Sequence, residues 1–347
     1  MHTPLTHTAR TSTTASLGIT EISFYPFDSL AFLTSSYDRT LKLFSSETLV
    51  ASATFDLEST VYVHSTSTVA SHLLVACGSQ HPAVRLVDLK SGAMTHSLAG
   101  HAGSVLAVAW HPKDEFVLAS GATDGVCRLW DIRRSASSLG VLDMEDHIGI
   151  AGYDEKGTGA RRRERGKSHS GTVNGITWTG DGRYLITTGH DEHMRVWDMV
   201  NGANTLANFG PALRNTQTAP LRPLVAPAHL SGTSNSMIFY PNSQEILGFN
   251  LHSGTLLARL RDTTEPSGAG ARNSVKRTTS LAWRAHHVEM YSAHANGTIR
   301  CWRPRTSEDI EADVETAEDE TTAIDLTERK RKREDLNQIV RDLTKKR

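Results

Sequence analysis

Short runs along most of this chain alternate apolar and polar positions or stay apolar for about six residues. Val105-Leu106-Ala107-Val108-Ala109-Trp110, Val173-Asn174-Gly175-Ile176-Thr177-Trp178 and Ser280-Leu281-Ala282-Trp283 are examples. A second run follows each, as in Phe116-Val117-Leu118-Ala119-Ser120 and Tyr184-Leu185-Ile186-Thr187-Thr188. Turn formers separate them: His111-Pro112-Lys113-Asp114, Gly180-Asp181-Gly182 and Tyr25-Pro26-Phe27-Asp28. Runs of this length with Gly, Asp and Pro between them predict β-strands joined by tight turns. No helical stripe occurs before about Leu326, so the predicted class is all-β.

The pattern repeats. A segment of the form Asp-x-x-apolar-basic-apolar-aromatic reads Asp38-Arg39-Thr40-Leu41-Lys42-Leu43-Phe44 at its first appearance. It returns as Asp124-Gly125-Val126-Cys127-Arg128-Leu129-Trp130-Asp131 and as Asp191-Glu192-His193-Met194-Arg195-Val196-Trp197-Asp198. Weaker copies lie at Ala83 to Asp88, at Glu245 to Asn250 and at Asn296 to Trp302. Aligned on Lys42, Arg85, Arg128, Arg195, Leu247 and Arg300, the copies are spaced by 43, 43, 67, 52 and 53 residues. Two equal steps set the unit, and the longer steps read as one unit plus an insertion. The longest contains a polar, Gly- and Arg-rich stretch from Met144 to Lys167, which reads as a surface loop.

These residues resemble WD40 repeats. The dipeptides Trp130-Asp131 and Trp197-Asp198, the pair Gly100-His101 and the period match that family's pattern. The resemblance implies an all-β WD40 β-propeller with six recognisable repeats over residues 18–304 and an insert loop at 139–167. It also implies a hydrogen-bonded structural set within a blade, joining a His, a turn Asp, a strand Trp and a Ser or Thr. The residues that fit are His101, Ser120, Asp124 and Trp130, then His169, Asp191 and Trp197 with Thr187 or Thr188. In such propellers the residue before the turn Asp points to the face with the narrower channel mouth. Tyr37, Thr123 and His190 hold that position and are the candidate partner face.

The resemblance extends to a narrower family. Tyr37 to Phe44, Thr60-Val61-Tyr62, Asp88 to Gly92, Leu129 to Arg134, Gly171 to Gly175 and Asn201 to Leu206 together look like the Cockayne syndrome group A protein family. The similarity runs from about Ile19 to Pro304 in matching order. It implies a nuclear, non-catalytic substrate receptor of a cullin 4 RING ubiquitin ligase in transcription-coupled nucleotide excision repair. Leu118 to Asp124 through Trp130-Asp131-Ile132-Arg133 matches the WDxR box of such receptors. By that resemblance Trp130, Asp131 and Arg133 form the docking site for the damaged-DNA-binding adaptor protein, and repair or transcription proteins are the substrates. A planar guanidinium with five donors suits such a contact, because it can bridge carbonyls or a carboxylate bidentately. Family members have seven blades and an N-terminal helical segment. Here residues 1–17 are polar and read as a disordered N-terminus, so the first blade and the helical grip are expected to be missing. The residues leave one alternative open, a WD40 scaffold for another nuclear assembly in chromatin or RNA processing.

Composition narrows the remaining classes. The 347 residues carry 37 Lys+Arg against 38 Asp+Glu, which argues against a chain that coats DNA through net charge. Direct sequence-specific nucleic-acid binding is not expected, and no apolar run approaches the ~18 residues of a membrane span. Cys77, Cys127 and Cys301 sit singly among apolar residues and are expected to be small core residues in a reducing compartment. No nucleophile elbow, metal-ligand spacing or phosphate-cradling loop is present, so no catalytic residue, cofactor or metal is expected. Arg161 to Lys167 forms a basic stretch inside the insert and reads as a solvated loop. Residues 305–347 read as an acidic linker followed by a short basic amphipathic helix. Arg329, Lys330, Arg331, Lys332 and Arg333 form a nuclear-import-like cluster before the stripe Leu336, Ile339, Val340 and Leu343.

Overall fold

The computed structural model describes residues 15–134, 138–144, 166–227, 236–243, 245–261, 277–284 and 288–304. They form six antiparallel sheets arranged as the blades of a propeller. Blade 1 comprises β1 (Ile19–Tyr25), β2 (Asp28–Ser36), β3 (Thr40–Ser45) and β4 (Ala51–Asp56). Blade 2 comprises β5 (Val61–Thr66), β6 (Leu74–Ser79), β7 (Val84–Asp88) and β8 (Met94–Leu98). Blade 3 comprises β9 (Val105–Trp110), β10 (Val117–Ala122), β11 (Cys127–Asp131) and β12 (Ser138–Leu142). Blade 4 comprises β13 (Val173–Trp178), β14 (Tyr184–Gly189), β15 (Met194–Asp198) and the two-residue β16 (Ala203–Asn204). Blade 5 comprises β17 (Leu224–Val225), β18 (Met237–Pro241), β19 (Ile246–Asn250) and β20 (Leu256–Leu260). Blade 6 shows three strands among the described residues: β21 (Thr278–Arg284), β22 (Glu289–His294) and β23 (Ile299–Trp302). The repeated basic position marks the third strand of every blade, and no helix occurs among the described residues.

Strand alternation sends each blade's side chains to two faces, and both faces of the middle blades are covered. Leu33, Leu41 and Phe55 of blade 1 pack on Val61, Val75 and Val87 of blade 2. Val63, Leu86 and Leu98 then meet Val105, Leu118 and Trp130 of blade 3. Blade 3 turns Ala107, Ala119 and Leu142 toward Val173, Ile176 and Trp197 of blade 4. Ile186 and Val196 join Ile238 and Phe249 of blade 5, and Phe239 and Ile246 join Met290 of blade 6. Blades 6 and 1 share no comparable packing among the described residues. Their outward faces are apolar and open: Phe24 is 65% exposed and Ile299 is 73% exposed.

Three expectations need correction. The insert was expected to begin at residue 139, but Ser138–Leu142 forms the fourth strand of blade 3, with Leu142 opposite Cys127 and buried. The N-terminal tail was expected to be free through residue 17, but Ala15 is buried and the Ser16 N–H donates to Asp38 at 3.0 Å. Cys77 and Cys127 are buried, whereas Cys301 is exposed. Cys301 shares a face with Tyr291 and Ala282, opposite the face carrying Met290 and Trp302 that packs on blade 5. The expected C-terminal helix, the cluster Arg329 to Arg333 and the basic stretch 161–165 lie outside the described residues.

Candidate functional site

The WDxR box divides its labour by burial. The Trp130 ring is fully buried, and its Nε1–H donates to Ser120 Oγ at 2.7 Å. Asp131 ends β11 and is also buried. Its carboxylate accepts from Arg133 Nε at 3.0 Å, from Arg133 Nη2 at 2.7 Å and from the Arg133 main-chain N–H at 3.0 Å. These bonds hold the Asp131 carboxyl below the usual carboxylate range, and hold Arg133 firmly protonated. The guanidinium lies 4.6 Å over the Phe116 ring, while the Arg133 side chain remains 58% exposed. Bidentate pairing and ring stacking fix an exposed cation in one orientation, so little rotamer freedom is left to lose on contact.

Blade 4 carries a counterpart that the sequence did not reveal. Arg183 donates to Asp198 at 3.4 Å and lies 5.2 Å from the Tyr184 ring centre, with its side chain about as exposed as that of Arg133. It belongs to the turn before β14 rather than the turn after β11, so a linear motif does not capture it. His111 of blade 3 meets the Gly182 carbonyl at 3.1 Å and stacks edge-on against Trp178, joining the two turns on one rim.

The structural sets form two parallel chains of hydrogen bonds. In blade 3, Trp130 donates to Ser120, Ser120 Oγ meets His101 Nε2 at 2.7 Å, and His101 Nδ1 meets Asp124 at 3.1 Å. In blade 4, Trp197 donates to Thr187 at 3.0 Å, Thr187 meets His169 Nε2 at 2.8 Å, and His169 Nδ1 meets Asp191 at 2.8 Å. Each hydroxyl accepts from its indole, and because a carboxylate only accepts, the His101 Nδ1 that faces Asp124 carries a ring proton. Thr187 is the blade 4 partner; the Thr188 hydroxyl turns instead to the Leu221 carbonyl. Burial alone would raise the Asp191 pKa, but the His169 hydrogen bond and the Arg195 charge override it and hold it far below the usual range. Asp124 is lowered in the same way by His101 and the Ala102 N–H. Gly125 closes the blade 3 turn at φ 80°, where a Cβ would meet the His169 carbonyl at 2.6 Å.

Tyr37, Thr123 and His190 occupy equivalent turns of blades 1, 3 and 4. Tyr37 is exposed and meets Tyr62 edge-on at 6.2 Å. Thr123 is exposed, and His190 is tied to the Gln217 carbonyl. A further cluster, also unmarked in sequence, crosses the centre. Arg222, just before β17, pairs with Glu21 of β1 at 2.6 Å and donates to the Val108 carbonyl at 3.2 Å. The buried His64 ring bridges Ser23 at 2.7 Å and Ser35 at 3.0 Å, tying blade 2 to blade 1.

Comparison with known proteins agrees with this architecture. The WD40 family, described as WD domain, G-beta repeat, matches residues 92–131 and 163–198. WD repeat-containing protein ATCSA-1 of Arabidopsis thaliana is 28% identical over 87% of this chain and 75% of its own length. Ribosome biogenesis protein ytm1 of Aspergillus oryzae is 27% identical over 49% of this chain and 35% of its own. Nuclear distribution protein PAC1 of Arthroderma benhamiae is 24% identical over 66% of this chain and 56% of its own. A chain in the crystal structure of a mitotic checkpoint complex superposes with a TM-score of 0.60 at 16% identity, covering 84% of this chain and 76% of that one, a likeness of fold. The matched segments, the two hydrogen-bonded sets and the six sheets together describe a six-bladed β-propeller that carries WD40 repeats at residues 92–131 and 163–198.

Proposed function

We propose that this propeller is the substrate receptor of a cullin 4 ubiquitin ligase in nucleotide excision repair, docking its adaptor through the rim that carries Arg133. The observation that supports this reading most is the split within the WDxR box. Trp130 and Asp131 are consumed by the fold, whereas Arg133 is oriented by Asp131 and Phe116 and left exposed. The 28% identity to ATCSA-1 over most of the chain is in keeping with this role. Arg183 on the same rim enlarges the cationic contact, and both arginines keep donors free beyond their aspartate partners. Tyr37 and Thr123 remain exposed for the substrate, with His190 held by the Gln217 carbonyl in the equivalent turn, and the cluster Arg329 to Arg333 directs the protein to the nucleus. The test is a binding titration between the full chain and the purified adaptor, comparing wild type with Arg133→Ala and Arg183→Ala at equal folding. Loss of affinity in both variants with retained melting behaviour supports the docking rim; wild-type affinity in both refutes it.

A further inference from the structure

The fourth strand of a blade covers the outer edge of the third, and blade 4 does this only in part. At the equivalent edge position Leu41 is laddered to Phe55, Val84 to Leu98, Cys127 to Leu142 and Ile246 to Leu260. Met194 holds that position in blade 4, and β16 pairs only with Trp197 and Asp198. The hydrogen-bond phase shows which groups are affected. The Gly189 N–H donates to the His193 carbonyl at 3.2 Å, and the Thr205 N–H donates to the Val196 carbonyl at 2.9 Å. His193 and Arg195 therefore turn their main-chain groups inward to β14, while Met194 and Val196 turn theirs outward. Val196 is answered by Thr205, but the Met194 N–H and C=O have no partner among the described residues. Buried main-chain groups are almost always paired, and Met194 is buried.

The cause is local. Asn204 Oδ1 accepts from the Leu206 N–H at 3.0 Å, and Leu206 adopts the left-handed region at φ 59°. This side-chain turn competes with the ladder and steers the chain away from β15. A groove of about 270 Å³ opens between them, lined by the apolar Met194, Leu206, Phe209 and Leu213 and by polar residues that include Arg195 and Asn208.

We propose that this groove docks an extended peptide of a partner protein, added as the missing length of fourth strand on β15. A strand presents N–H and C=O groups at the spacing Met194 lacks, whereas a helix satisfies its own main chain. The other blades specify the side chain as well. Phe55, Leu98, Leu142 and Leu260 are all large and apolar at this register, and the groove walls offer such a residue an apolar lining. The partner segment is thus extended, with Leu or Phe opposite Met194.

The test uses the full chain and a fluorescein-labelled synthetic peptide with the sequence of residues 254–261, which spans the outer strand of blade 5. Binding is followed by anisotropy, and exchange of the Met194 amide by hydrogen–deuterium exchange. Saturable binding is expected, with Met194 exchange slowed about tenfold or more at saturation. N-methylation of alternate peptide amides should weaken binding at least about tenfold, and so should Leu206→Glu in the protein. Leu206 is 57% exposed, so this variant should melt like wild type. No saturable binding up to about 1 mM peptide, or unchanged Met194 exchange at saturation, overturns the proposal. So does a Met194 amide already protected in the intact chain and released by deleting residues 145–165, which would assign the groove to the chain's own insert.

Discussion

Replacing Asp191 by alanine removes the acceptor on which the blade 4 set converges. Its carboxylate receives His169 Nδ1 at 2.8 Å, Arg195 Nη1 at 2.8 Å, the Ser170 N–H at 3.2 Å and the His193 N–H at 3.3 Å. The His169 side chain is fully buried and that of Arg195 is largely so, so water cannot readily replace the carboxylate. Each stranded buried donor costs about 1–3 kcal/mol, and one of these two carries a full charge. The expected loss for Asp191→Ala is therefore about 3–5 kcal/mol. Asp124→Ala strands His101 and the Ala102 and Val126 N–H groups, but Arg128 does not pair with Asp124. Its loss should be smaller, about 2–3 kcal/mol. Denaturant titrations at pH 7.5 on wild type, both single variants and Asp191→Ala/Arg195→Ala measure this, provided unfolding is reversible. The double variant should recover at least ~1 kcal/mol of the Asp191→Ala loss, because the stranded charge is gone. Equal losses for Asp191→Ala and Asp124→Ala, or no recovery in the double variant, would show that no stranded Arg195 charge drives the difference.

Burial pushes the imidazole pKa of His64 and of His169 below the ordinary value, so the unfolded chain binds more protons than the folded one as pH falls through about 6.5. Stability should be full above about pH 7.5 and fall toward pH 5, by at most ~2.8 kcal/mol per pH unit if both rings contribute; a flat profile from pH 7.5 to 5 in denaturant titrations would contradict this. The depressed Asp191 pKa adds a further loss only below about pH 4. Arg39 occupies at φ 73° the turn position held by Gly125 at φ 80° and Gly297 at φ 81°, and it is exposed. Arg39→Gly should therefore stabilise the chain by about 0.5–1 kcal/mol, readable in the same titration; a loss would show that the side chain matters more than the strain. Changing Arg329 to Arg333 to alanine should lower the nuclear fraction of a fluorescent fusion, and an unchanged distribution would remove the import role.

The blade architecture was legible because the third strand repeats a local pattern that tertiary packing does not override. Asp124 to Asp131 and Asp191 to Asp198 carry the same turn, the same alternation and the same buried Trp. The fourth strand was harder to read. Ser138–Leu142 contains a mid-strand Gly and borders a polar insert, so its pairing with β11 emerges only from the ladder. Adjacent hydroxyls such as Thr187 and Thr188 point to opposite sides of a strand, and composition cannot choose between them. Blade 1 places Ala15 and Phe44 where blade 3 has His101 and Trp130, keeping the turn carboxylate, its N–H donor and, in Thr34, the strand hydroxyl. Arg183 and Arg222 escaped because their partners, Asp198 and Glu21, are 15 and 201 residues away. Long-range ion pairs leave no periodic trace in the chain.

The docking rim is tested most directly by the affinity of the full chain for the purified damaged-DNA-binding adaptor, measured for wild type and Arg133→Ala by titration calorimetry, with a melting curve for each. Wild type should bind measurably, Arg133→Ala should lose at least about tenfold in affinity, and the two melting curves should coincide. Equal affinity of the two proteins at equal stability would contradict docking through Arg133, since an oriented, exposed arginine that contributes nothing to adaptor binding is not its anchor.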